Sequence, residues 1–136
     1  RFGDPETEVV LPLLESDAYD VFYGIATGAN SQSPIANSPL QWKNEATIGV
    51  VLASKGYPGD YAKGAVIEGV ELFDGPVFHM GTKNDNGVLK TNGGRVMMCI
   101  ATGKDIAEAQ AKVYKEIEKI QCDNLFYRKD IAHWAL

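Results

Sequence analysis

Cysteine is scarce: Cys99 and Cys122 are the only two in 136 residues. Two thiols cannot build a disulfide framework or a structural zinc site, and each reads as a buried free thiol of a reducing compartment. Histidine also occurs only twice, with no pair at metal-binding spacing. Long apolar runs are missing too, and none approaches the roughly 20 residues that cross a bilayer as a helix. Basic charge is in deficit. Thirteen Lys+Arg against 18 Asp+Glu leave a net charge of −5, which argues against a chain that grips nucleic acid or anionic lipid through a basic face. There is no glycine-rich nucleotide loop of the Walker or Rossmann type, no nucleophile elbow, no internal repeat and no block of like charge.

What is present has ordinary globular proportions, 45% hydrophobic and 23% charged, in a length that supports one domain core. The chain starts at Arg1, and residues 1–7 (Arg-Phe-Gly-Asp-Pro-Glu-Thr) resemble neither a signal peptide nor a loose initiator tail. They read as a cut edge, so the expectation is a piece of a longer protein.

Residues 8–14 are almost continuously apolar but contain Pro12, which limits them to a short helix or an extended piece. A helix is expected next. Ser16 serves as its N-cap, Asp17 and Asp20 lie in its first turn, Ala18, Val21, Phe22 and Ile25 share one face, and Gly28 ends it. Residues 29–40 are rich in Ser, Asn and Pro and read as an exposed loop, with Trp42 marking the return to a packed body.

Strands are expected over 47–53 and 65–70, followed by a meander over 77–82, 87–91 and 95–101. Asn86-Gly87 and Asn92-Gly93-Gly94 supply its turns. Asp105, with Glu108 three residues on, opens a second helix whose Ile106, Ala109, Val113, Ile117 and Ile120 line one side. A strand at 125–127 and the apolar Ile131, Trp134 and Leu136 would complete the core. This order, without strand–helix alternation, gives an α+β class: a mainly antiparallel sheet with flanking helices.

Two turns carry chemical potential. Residues 91–95 (Thr-Asn-Gly-Gly-Arg) bring a hydroxyl, an amide, backbone N–H groups and a guanidinium together, a set suited to a phosphate or to sugar hydroxyls, although two glycines also simply make a turn. Gly56-Tyr57-Pro58-Gly59, with Lys63 beyond, is a rigid turn bearing an aromatic face, and a structural β-turn explains it equally. Arg1, Asp4 and Glu6 could attract a metal or an amine, or form a solvated loop. His79 lies between Phe78 and Met80 and should point to the face opposite theirs, in keeping with a structural, hydrogen-bonded histidine. Arg128-Lys129-Asp130 could form a phosphate contact or a surface ion pair, and base rates favour the ion pair. Beside Met97-Met98 no lysine stands at a turn, which weakens a biotinyl or lipoyl carrier reading.

Five strings, taken together, resemble the phosphoribosylamine–glycine ligases (glycinamide ribonucleotide synthetases). They are Arg1-Phe2-Gly3-Asp4-Pro5-Glu6-Thr7, residues 52–61 (Leu-Ala-Ser-Lys-Gly-Tyr-Pro-Gly-Asp-Tyr), residues 77–82 (Val-Phe-His-Met-Gly-Thr), residues 91–96 (Thr-Asn-Gly-Gly-Arg-Val) and residues 127–131 (Tyr-Arg-Lys-Asp-Ile). They occur in the family's order and spacing and span the chain. Met80 departs from the commoner alanine and Ala132 from the usual glycine, and residues 29–40 match nothing.

The resemblance implies an ATP-grasp ligase of purine biosynthesis. ATP phosphorylates the glycine carboxylate, and the amine of 5-phosphoribosylamine attacks the acyl phosphate to give glycinamide ribonucleotide, ADP and phosphate. It implies ATP and Mg2+ (or Mn2+) in the intact enzyme, with the metal-holding Glu and Asn lying before Arg1. No cofactor is expected on this chain alone, and alone it is expected to be inactive. Residues 1–15 would be the end of the ATP-grasp domain, 16–45 a helix and variable linker, and 46–136 the C-terminal α+β domain, of rudimentary or barrel-sandwich-hybrid type. Arg1, Asp4, Pro5 and Glu6 would line the acceptor side near glycine and phosphoribosylamine, with Gly56, Tyr57, Pro58, Gly59, Asn92, Gly93, Gly94 and Arg95 facing the same cleft. The implied partners are these small molecules and the remaining ligase domains, not nucleic acid or membrane, and the implied compartment is cytoplasmic. The alternative is a non-catalytic binding or scaffold module that keeps the family's turns.

Overall fold

The computed structural model describes residues 3–28 and 40–136. Two helices come first, α1 (Glu6–Val10) and α2 (Ala18–Ala26). The body follows with β1 (Ala46–Ser54), β2 (Val77–His79), β3 (Thr82–Asp85), β4 (Val88–Thr91), β5 (Arg95–Gly103), α3 (Ile106–Ile117) and β6 (Leu125–Phe126). The main sheet runs in the order β2-β5-β1-β6, with every neighbouring pair antiparallel, and β3–β4 forms a separate ribbon. The expected α+β class, an antiparallel sheet with flanking helices, is what the chain adopts.

The long strands β1 and β5 dominate because both are apolar on both faces, as a sheet covered on two sides requires. Ile48, Val50 and Leu52 pair with Ala101, Cys99 and Met97, and these six are buried together with Ala109, Val113 and Ile117 of α3. Burial of this kind stabilises by roughly 1.5–3 kcal/mol per large side chain. The opposite face lies under α1. There Gly49 leaves room for Val9 and Met98; a Cβ at Gly49 would stand 2.7 Å from Val9 Cγ1. Cys99 is fully buried, which pushes its thiol pKa up to about 12, while Cys122 is half-buried.

The expected start of α3 is present. Asp105 caps it by accepting from the Glu108 N–H at 2.8 Å, and Glu108 reaches back to the Lys104 N–H, also at 2.8 Å. At α2 the cap moves by one residue: Asp17, not Ser16, accepts from the Asp20 N–H at 3.0 Å. Ser16 Oγ instead accepts from the Gln41 N–H at 2.8 Å, tying down the far end of the 29–40 segment. Of that expected loop only Leu40 lies within the described residues. Trp42 bridges Leu14 but stays half-exposed rather than entering the core.

Three other expectations are corrected. Residues 65–70 are extended but make only isolated bridges, Val66 with Lys90 and Glu68 with Gln121. Gly69 then turns to φ +77 against the Lys119 carbonyl, and a short 3-10 turn, Val70–Leu72, replaces the strand end. The meander is split, because Met80 N–H and Gly81 N–H both donate to the Val96 carbonyl (3.0 and 2.9 Å). That ends β2 beside β5 and sends the chain into the ribbon, whose Asn86-Gly87 turn has φ of 53° and 89° as the sequence requires. Finally, Ile131 packs on the core but Trp134 is 97% exposed, and Leu136 is exposed too. Ala132, at φ +65, starts a 3-10 turn that carries Trp134 outward, where its ring meets that of His133 edge-on.

Candidate functional site

Four of the five sequence strings meet at one end of the sheet, where β1 ends and β5 begins. Ser54, the last residue of β1, is fully buried although it is polar. Its N–H donates to the Gly94 carbonyl and its Oγ to the Gly93 carbonyl, each at 2.8 Å. Its own carbonyl accepts from the Tyr57 N–H at 3.0 Å. One serine thus fastens the 56–59 turn to the 91–95 turn, and its burial is tolerable because each polar group is paired.

Glycine is needed where these turns touch. The Tyr57 ring lies on Gly94 so closely that any Cβ there would overlap the ring. Gly93 lies back to back with Gly81, and a Cβ on either would stand within 2.9 Å of the other's Cα. Gly56 takes φ +98 with the Asp60 carbonyl against it. The Tyr57–Pro58 peptide is cis, and the Tyr57 ring meets Tyr61 edge-on at 6.2 Å. The glycine pair at 93–94 is therefore a structural turn. The aromatic face it supports is only partly covered, with Tyr57 38% exposed.

The hydroxyl of Thr91 is not available to a ligand. Thr91 is buried, and its Oγ1 accepts from the Ala65 N–H at 3.2 Å. Asn92 N–H is taken by the Gly81 carbonyl at 2.7 Å. His79 points to the face opposite Phe78, and its Nδ1 lies 3.0 Å from Thr82 Oγ1, the structural hydrogen bond expected of it.

Arg95 is the functional-looking group at this end, and a β-bulge aims it. Leu52 pairs with Met97, but the next residue, Ala53, pairs with Arg95, so Val96 is an extra residue in β5. Val96 and Met97 both join the core beneath α3. Because strand side chains alternate, the extra residue turns Arg95 to the other face, that of α1. Asp4, just before α1, is waiting there: Arg95 Nη1 lies 3.3 Å from Asp4 Oδ1, with both side chains about two-fifths exposed. The Asp4–Pro5 peptide is cis, Pro5 precedes the first turn of α1, and Glu6 is exposed on that turn. One turn further on, Thr7, Glu8, Leu11 and Pro12 line a groove of about 470 Å³ with Phe78. Arg1 lies outside the described residues.

The site is thus a half-open corner holding a guanidinium, a carboxylate and an aromatic face. Such a corner can hold an anionic group against Arg95 and a cationic amine against Asp4. Residues 127–131 do not reach it as a ligand site. Arg128 is bound to Asp130 through Nε (2.9 Å) and Nη2 (2.6 Å), a surface ion pair as expected, and Tyr114 Oη donates to the Arg128 carbonyl. Among the described residues no group of three His, Cys, Asp or Glu side chains could hold a metal ion. Sequence reasoning missed Ser54 and the bulge. A serine closing an apolar strand was a visible signal for the first, and nothing in the sequence marks the second.

Residues 47–134 match the family model described as phosphoribosylglycinamide synthetase, C domain. Across 138 aligned residues the chain is 48% identical to a phosphoribosylamine–glycine ligase of Halalkalibacterium halodurans, and the match covers all of this chain but 31% of that protein. It is 42% identical to the Caldanaerobacter subterraneus protein of the same name, over 97% of this chain and 31% of that one. The crystal structure of phosphoribosylamine–glycine ligase from Thermotoga maritima superposes with a TM-score of 0.77 at 36% identity, covering 97% of this chain and 32% of that one. The chain therefore spans about a third of the length of the proteins it matches.

Proposed function

The chain belongs to the family of the phosphoribosylglycinamide synthetase C domain, and from that premise we propose that it forms the acceptor-side wall of an ATP-dependent ligase joining glycine to 5-phosphoribosylamine. The observation that carries this reading is the meeting of Asp4 with Arg95 across 91 positions of chain, at the corner where four of the strings that resemble the ligases come together.

In that reaction a phosphoryl group from ATP makes the glycine carboxylate electrophilic, and the amine of phosphoribosylamine attacks it to form glycinamide ribonucleotide. Arg95 holds an anionic group, the 5-phosphate of phosphoribosylamine or the activated carboxylate. Asp4 attracts a substrate amine and, through its contact with Arg95, keeps that guanidinium pointed into the corner. Tyr57, seated on Gly94, offers an apolar wall to the ribose. Arg1, Pro5, Glu6 and Asn92 belong to the same proposed lining. The reactive acyl phosphate must be kept from water, and a half-open corner cannot do that by itself; the remaining ligase domains close it in a purine-synthesising cell's cytoplasm. The metal and nucleotide belong to those other domains, in keeping with the resemblance, which puts the metal-holding Glu and Asn before Arg1.

The test is a chimera in which this chain replaces the matching third of the Halalkalibacterium halodurans ligase. Glycine- and phosphoribosylamine-dependent ADP release is expected from the chimera and not from the isolated chain. A folded chimera without that activity, or ADP release by the isolated chain, would refute the reading.

A further inference from the structure

Helix α2 is amphipathic, but among the described residues its apolar side is left largely uncovered. Tyr19 is 71%, Phe22 47%, Tyr23 54% and Ile25 73% exposed, and none of its nine residues is buried. Tyr19 and Tyr23 stack on each other at 5.5 Å, extending one apolar strip along the helix. A helix this short gains too little from its own hydrogen bonds to be stable in water, so such a strip implies a covering surface.

The charge around the strip says what kind of surface. Residues 3–28 contain six acidic side chains and no basic one, whereas residues 43–136 contain twelve of each. The acidity of the whole chain is thus concentrated on the segment that carries the uncovered helix. Asp17 and Asp20 flank the strip, and Asp17 also caps α2. A complementary surface is apolar at its centre and rimmed with Lys or Arg. The matched ligases are about three times as long as this chain, so they contain a large amount of polypeptide from which such a surface can come.

We propose that the Tyr19–Phe22–Tyr23–Ile25 strip is a docking face for the part of the ligase outside this chain, received in a basic-rimmed apolar groove. This rests on the family reading above and adds to it the element through which the domains join.

Hydrogen exchange of α2 amides provides the test, in the isolated chain and in the Halalkalibacterium chimera. Fast exchange is expected in the isolated chain and at least tenfold slower exchange in the chimera. F22D/I25D should abolish that slowing, while W134A, at an exposed aromatic far along the chain, should leave it unchanged. Equal exchange in both contexts would overturn the proposal. So would slow exchange in the isolated chain: if monomeric by sedimentation, residues of this chain cover the strip, and if dimeric, a second copy does. Because exchange does not depend on turnover, an active chimera with an unprotected α2 defeats this inference alone, and a protected α2 in an inactive chimera defeats the functional reading alone.

Discussion

Arg95 Nη1 and Asp4 Oδ1 stand 3.3 Å apart although 91 positions separate them in the chain. The contact joins the segment before α1 to the first residue of β5, and both groups stay accessible. An ion pair this exposed contributes little to stability, about 0–1 kcal/mol. Its effect should therefore appear in substrate handling. In the chimeric ligase, Arg95→Ala is expected to raise the KM for phosphoribosylamine at least tenfold while the melting temperature moves by less than about 3 °C. Steady-state kinetics with calorimetry decides, since an unchanged KM with a clearly lowered melting temperature would mean the residue is structural.

Gly94→Ala probes the seat of Tyr57. The new methyl overlaps the ring, and relief requires the half-exposed ring to move, so a cost of about 1–2 kcal/mol is expected. Urea denaturation of Gly94→Ala, Tyr57→Ala and the double variant should show that most of this cost disappears once the ring is gone.

Ala132 occupies a conformation that suits glycine. At φ +65 its Cβ is crowded, and Ala132→Gly should stabilise the chain by about 0.5–1 kcal/mol after the greater freedom of glycine in the unfolded state is deducted. An unchanged or lowered urea midpoint would show that the turn tolerates the methyl without strain.

Acid should weaken the fold through three carboxylates. Glu108 is held below the usual carboxylate range by the Lys104 N–H and Lys112, Glu116 by Lys119 and the Asp74 N–H, and Asp130 by Arg128. Each binds its proton less readily folded than unfolded, so its stabilisation is present above the unfolded value of about 4 and is lost as pH falls through the lower folded value. Urea midpoints should be flat from pH 7 to about 5 and fall steadily below about 4. Glu116→Gln should make that fall shallower, and an identical slope would remove Glu116 from the account.

Local chemistry was legible from sequence alone. The Asn86-Gly87 turn, the Asp105 cap and the apolar side of α3 each depend on residues within four positions of one another, where spacing and backbone preference suffice. Pairings that depend on distant carbonyls were not. Nothing in residues 77–91 says that β2 will join β5 while β3 and β4 leave as a ribbon, because that choice is made by the Val96 carbonyl accepting from Met80 and Gly81. The candidate site divides the same way. Its turns stood out as strings, and a serine closing an apolar strand hinted at Ser54 without saying what it ties together, but the bulge at Val96 is one more β-branched residue in an apolar run. Trp134 failed for a related reason, since a large apolar side chain reads as core until the backbone at Ala132 carries it outward.

The extra residue in β5 also sets what kinds of sequence change this corner can absorb. A substitution at Val96 alters packing by degrees, and deleting the residue would remove the bulge while leaving Arg95 opposite Ala53 on the face of α1. Regular pairing at the present length is the damaging change, because Val96 would then stand opposite Ala53, Arg95 would turn to the α3 face, and Asp4 would face a backbone with no cation on it. Insertions should be accommodated at the Asn86-Gly87 tip, where a Cβ on Gly87 would meet nothing within 4 Å. The skipped pairing at Val96, rather than chain length alone, is therefore what brings Arg95 to Asp4.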